Sequence, residues 1–104
     1  ENTRTAFRVQ EHHCNAHDSL HGGVMMALAD YTLCLCANGG ETESVVTVSC
    51  NSEFIGPAYK GDLVEGRGEL TRRGGSMVFS RCELFVGETV VLTSSAVIKR
   101  IRKK

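Results

Sequence analysis

The sequence predicts an α+β domain in which an antiparallel sheet wraps around one long central helix. Three observations lead there. A polar loop ending in His21-Gly22-Gly23 gives way to an almost wholly apolar run that reaches Ala37. Residues 44–101 then alternate apolar and polar side chains between glycine turns, as strands with one face on a core do. The apolar residues of the central run lie on every face of a helix, so that helix should be buried all round. A curved sheet, helped by a second subunit, would cover it.

The chain of 104 residues is read as a single domain, 1–104, near the size at which association helps stability. Hydrophobic residues make up 41% and there is one proline, which fits a globular protein and not a disordered one. Twelve basic residues balance twelve acidic ones, so no global field recruits nucleic acid. The exception is a basic tail of Lys99, Arg100, Arg102, Lys103 and Lys104, read as a solvated end. No run reaches the roughly 18 apolar residues that a membrane span needs, and no signal-peptide pattern is visible. Four of the five cysteines fall inside apolar helix or strand patterns, which suits buried thiols better than a disulfide framework and points to the cytoplasm.

Taken in order, residues 5–10 carry Phe7 and Val9 in alternation and predict a first strand. All four histidines follow within ten residues, at His12, His13, His17 and His21. Their spacing matches no standard zinc pattern, and Cys34 and Cys36 would point to different sides of a helix, so no metal is expected. The central helix begins after Ser19 or Leu20 and stops at Asn38-Gly39-Gly40. One carboxylate, Asp30, sits in its middle. Burying an ionised group there is costly unless it is paired, which marks Asp30 as a perturbed, working carboxylate.

A strand at 44–54 follows, with Val46, Val48, Cys50 and Phe54 on one face and Thr47, Ser49, Asn51 and Glu53 on the other. Residues 63–71 predict another, where Gly66 and Gly68 suggest a bulge. Gly74-Gly75 is a hairpin signal. The return strand, 77–86, sets Val78, Ser80, Cys82, Leu84 and Val86 on one face, and a last strand at 89–101 turns Val90, Leu92, Ala96 and Ile98 inward.

The spacing of Asn15, His21-Gly22-Gly23 and Asp30 resembles that of the hotdog-fold acyl-CoA thioesterases of the phenylacetic-acid-degradation (PaaI-like) type. Thr47, Gly56-Pro57-Ala58, Gly61-Asp62 and the hairpin from Arg72 to Ser76 agree, so the likeness runs from about Phe7 to Ile101. It implies the hotdog fold and hydrolysis of an acyl-CoA, with coenzyme A entering only as part of the substrate and no separate cofactor. One position departs: the family usually has glycine where this chain has Asp18, which predicts a differently shaped loop.

The likeness also implies roles. Asp30 would activate water as general base or attack as nucleophile. Free amides at a helix N-terminus favour negative charge, so the Gly22 amide would polarise the thioester carbonyl, with Gly23 beside it. Asn15 would position water or carbonyl, Thr47 would hold water beside Asp30, and His21 would shape the loop. Arg72, Arg73, Gly75 and Ser76 suit the phosphates of coenzyme A.

Geometry adds a constraint. Gly22 and Asp30 are separated by about 12 Å of helix at 1.5 Å per residue. Both groups must lie within roughly 3 Å of the reacting centre. One helix is unsuited to supply both, so a two-fold dimer with antiparallel helices is expected, and whether such dimers pair further into tetramers is left open by the sequence. The alternative is a hotdog protein that binds acyl-CoA without hydrolysing it. A dehydratase or hydratase is disfavoured, because those enzymes pair a histidine with a carboxylate in a different motif.

Overall fold

The computed structural model describes residues 2–38 and 44–101. Strand β1 (Asn2–Arg8) leads through a 3-10 turn (Glu11–His13) and a polar loop into the helix α1 (Gly22–Asn38). Four strands follow: β2 (Ser44–Phe54), β3 (Leu63–Gly74), β4 (Met77–Val86) and β5 (Thr89–Ile101). They form one antiparallel sheet in the order β1-β3-β4-β5-β2, curled around α1. This is the hotdog fold. Gly39 and Gly40, the expected helix stop, and Arg102, Lys103 and Lys104 of the basic tail lie outside the described residues.

The helix seats one stripe on the sheet: Met25, Ala29, Thr32, Leu33, Cys36 and Ala37 are buried, at the spacing that lines one helical face. Sheet side chains donate to carbonyls along that face. Cys82 Sγ reaches Ala29 O at 3.8 Å, Ser80 Oγ reaches Leu33 O at 3.4 Å, and Arg73 Nη2 reaches Ala37 O at 3.3 Å. The core is completed by Val64, Val78, Leu84, Leu92 and Ile98.

Close approach of helix and sheet rests on two glycines. Gly66 and Gly68 are buried beneath Thr32, whose hydroxyl donates to Leu28 O at 2.8 Å and pairs with Thr5 Oγ1 at 2.7 Å. A Cβ at Gly66 would collide with the hydroxyls of Thr5 and Thr32. These glycines therefore make room and do not mark the expected bulge. The register shift of β3 lies between Leu70 and Arg72, and the strand continues to Gly74.

Three further expectations are corrected. The first strand runs Asn2–Arg8 and not 5–10, because it pairs with the whole of residues 63–69. In β2 the register shifts between Thr47 and Ser49, making Val48 an extra residue. A bulge reverses the phase of side-chain alternation. Val45 and Thr47 thus face the helix upstream, Cys50 and Ser52 face inward downstream, and Val46 and Val48 are exposed. In β5 a shift opposite Leu84 and Phe85 buries Val91 beside Leu92, where Val90 had been expected.

The helix is not covered all round in the single chain. Met26, Tyr31 and Leu35 are 41%, 58% and 37% exposed, so an apolar second face stays open. The opposite surface of the sheet is polar, crossed by ion pairs Arg67–Glu83 at 2.7 Å and Arg81–Glu69 at 2.6 Å. The five cysteines are free thiols, with Cys36 and Cys82 buried. Burial pushes the Cys82 thiol up to about 12.

Candidate active site

The open face of α1 carries Asp30, which is exposed and not buried as the sequence suggested, because the stripe that includes Met26 and Tyr31 turns away from the sheet. The bulge at Val48 aims Thr47 at it. Thr47 Oγ1 donates to Asp30 Oδ1 at 2.8 Å, a hydroxyl–carboxylate bond of ordinary strength. Two elements separated by 17 positions thus meet at one carboxylate oxygen.

A third group joins them, to which the sequence alone assigned no role. Cys34 Sγ lies 3.9 Å from Asp30 Oδ1 and 3.6 Å from Thr47 Oγ1. Its signal was available: residues four apart share a helix face. Burial raises the pKa of this thiol, Thr47's hydrogen bond opposes the rise, and the charge of Asp30 adds to it.

At the other end of the helix the polar loop is folded around Asn15. Its Oδ1 accepts the amides of His17 at 2.9 Å and Ser19 at 3.2 Å, and its backbone N–H donates to Ser19 O. The His21 amide donates to His13 O, and His21 O accepts from Val24 and Met25. His21 thereby holds the loop to the first helical turn through its backbone. The His13 ring accepts the Gln10 amide on Nδ1 and packs edge-on against Phe7. Among the described residues no cluster of three or more His, Cys, Asp or Glu is placed to hold a metal.

The first amides of a helix have no carbonyl one turn back to accept them. Those of Gly22 and Gly23 donate to no backbone carbonyl among the described loop residues. The Phe54 ring lies over Gly22, so close that a Cβ there would sit 3.2 Å from Phe54 Cε1, whereas Gly23 faces open space.

Asp18 has a φ of 59°, in the left-handed region natural to glycine, and aspartate is one of the few L residues that enters it. The loop is pinned there by Asp18 N to Asn15 O at 3.1 Å and Lys60 N to Asp18 O at 3.0 Å. Asp18→Gly should therefore stabilise the protein by about 0.5–1 kcal/mol through relief of strain. A thermal melt checks this, and an unchanged or lower midpoint would contradict it.

The arginine hairpin divides. Arg73 donates to Ala37 O at the helix C-terminus, while the neighbouring Arg72 of β3 is exposed near the turn. Gly75 has φ 51°, its carbonyl accepts Arg100 Nη2 at 2.8 Å, and Ser76 O accepts the Arg100 amide. Within one chain the structure joins Asp30 to Thr47, and Asn15 to the loop before His21, Gly22 and Gly23. It does not join Asp30 to Gly22.

Residues 17–93 match the family model described as the Thioesterase superfamily, well over half of the chain. The chain belongs to the thioesterase superfamily. A curated superfamily relative, called "Putative esterase PA0474", from Pseudomonas aeruginosa, is 33% identical over 94 residues, covering 88% of this chain and 70% of its own length. The PaaI protein of the E. coli phenylacetic acid degradation operon superposes with a TM-score of 0.91 at 21% identity, covering 99% of this chain and 75% of that one. An acyl-CoA hydrolase of Staphylococcus aureus, solved with butyryl coenzyme A, gives a TM-score of 0.90 at 18% identity, over 98% of this chain and 66% of that one. These two likenesses show the hotdog fold.

Proposed function

We propose that this thioesterase-superfamily chain hydrolyses acyl-CoA thioesters, R-CO-S-CoA plus water giving the acid and CoA-SH, at a site shared by two subunits. The observation that carries the reading is the Thr47–Asp30 pair on an uncovered apolar helix face. An exposed carboxylate on a helix that also exposes Met26, Tyr31 and Leu35 is a poor end state for a monomer, and such a patch suits a second copy. Coenzyme A as the leaving group is supported at the level of class, by the family and by a fold that holds butyryl-CoA in the S. aureus hydrolase.

Antiparallel pairing of two α1 helices brings Gly22 of the second copy over Asp30 of the first, closing the gap of about 12 Å. Asp30 takes a proton from water, which adds to the thioester carbonyl, and later returns that proton to the departing thiolate. Or Asp30 adds directly as nucleophile, giving an acyl anhydride that water then hydrolyses to the acid and the free carboxylate. The Gly22 amide stabilises the developing oxyanion, and collapse expels the CoA thiolate. Asn15 and His21 hold the loop that presents this amide, with Gly23 next to it. Arg72, with the turn at Gly75 and Ser76, would meet the CoA phosphates, whereas Arg73 already serves the helix end. The acyl group is small, aryl or medium-chain.

Thiol release from a panel of aliphatic and aryl acyl-CoAs tests the reaction, and mixed dimers test the shared site. Gly22→Pro deletes the amide hydrogen at a position where proline suits a helix start. Asp30→Ala and Gly22→Pro homodimers should both be inactive. Mixing them should restore about a quarter of wild-type activity, since half the dimers carry one intact site. Absence of recovery in verified mixed dimers would show that each site lies within one chain.

A further inference from the structure

The three side chains at the centre of the site bear on a single atom. Thr47 Oγ1 lies 2.8 Å from Asp30 Oδ1, Cys34 Sγ lies 3.9 Å from the same oxygen, and the thiol lies 3.6 Å from the threonine hydroxyl. Sulfur is large, so hydrogen bonds to it are long and weak. Either of two arrangements is satisfied. The thiol donates to Oδ1 directly, or it donates to Thr47 Oγ1 while that hydroxyl donates to Oδ1. Both direct positive dipole ends at Oδ1, and no described residue occupies Oδ2.

We propose that Cys34 is a positioning residue of the hydrolytic site, locking Asp30 and Thr47 so that Oδ2 is the oxygen presented to water or thioester. This rests on the thioesterase reading. The placement of Cys34 suits such a role, since it sits one helical turn beyond Asp30, half-buried between α1 and β2. The groups that face it are Asp30 on its own helix and Thr47 and Cys50 on β2, none of them cationic. Burial, first, and the neighbouring carboxylate keep the thiol protonated at neutral pH, so it is a donor and not a competing nucleophile.

The test compares wild type, Cys34→Ala and Cys34→Ser in steady-state thiol release across pH. Cys34→Ala should lower kcat about three- to tenfold, the span of one modest hydrogen bond, and leave KM for acyl-CoA within about twofold. Losing a donor makes a carboxylate easier to protonate, so the acid limb of kcat/KM should move to higher pH. Cys34→Ser keeps a donor of similar size and should restore both rate and limb. Wild-type kcat and an unmoved acid limb in Cys34→Ala would overturn the proposal and leave the thioesterase reading standing. So would Cys34→Ser that folds but behaves like Cys34→Ala, since the thiol would then only fill space. A wild type inert on every acyl-CoA would remove the thioesterase reading and this proposal with it.

Discussion

Asp30→Ala should lower kcat for thioester hydrolysis by about 10²–10⁴-fold, the range for loss of a positioned general base, while the folded protein remains as stable as wild type. The second half of that expectation comes from where the side chain lies. Asp30 is exposed on α1, its side chain meets Thr47 and Cys34, and alanine is the better helix former. A rate that collapses without a change in melting point or subunit association therefore isolates chemistry from folding. Asp30→Asn is a poorer choice because it can deamidate back. Retention of more than about a tenth of the wild-type rate would lie outside what a general base allows and would take Asp30 out of the mechanism.

Gly66→Ala should produce the largest loss of stability among single-methyl additions, about 2–4 kcal/mol. The new Cβ meets the hydroxyls of Thr5 and Thr32 and also Leu84 Cδ2 at 3.1 Å. Two of these neighbours are β-branched and stiff at χ1, and all three are anchored in β1, α1 or β4. The Thr5–Thr32 hydrogen bond must break or the helix must lift from the sheet. At about 4–8 °C per kcal/mol for a domain of this size, the melting midpoint should fall by at least 8 °C. Pairing the change with Thr5→Ala should recover part of the loss, because the two side chains compete for one space. Gly23→Ala, which meets nothing within 4 Å, is the control. A fall of less than about 2 °C in Gly66→Ala would show that the layers are not in close contact there.

Strands β2, β4 and β5 stand at the residues predicted for them, because glycine turns and strict alternation punctuate that half of the chain. The bulges at Val48 and Val91 were not legible. One inserted residue leaves composition and turn signals untouched, yet it exchanges the faces on which Val46 and Thr47 lie. Gly66 and Gly68 were visible as anomalies and were read as a bulge, whereas the position of Thr32 shows that they make room for the helix. The helix is apolar on most of its surface, as its residues imply; no described residue of the same chain covers its second face, which leaves Asp30 exposed. Family likeness put Thr47 beside Asp30 only as the holder of a water; the direct bond between them was not legible, since no spacing rule joins a helix residue to a strand residue across a turn. Cys34 was within reach of the four-residue rule, but nothing in the sequence singles it out among five cysteines.

The extra residue at Val48 gives β2 two independent halves. Upstream, the strand holds the Asp30 carboxylate through the Thr47 hydroxyl. Downstream, it seals the domain edge with a small-side-chain network, in which Ser52 and Ser94 share a bond of 2.8 Å and Cys50 Sγ lies 3.3 Å from Ser94 Oγ. In an unbroken strand the inward phase that carries Thr47 would also carry Asn51 and Glu53, and any adjustment of the edge would rotate the hydroxyl away from Asp30. With the phase reset between them, the lower half of β2 can change its side chains without disturbing the hydroxyl bonded to Asp30.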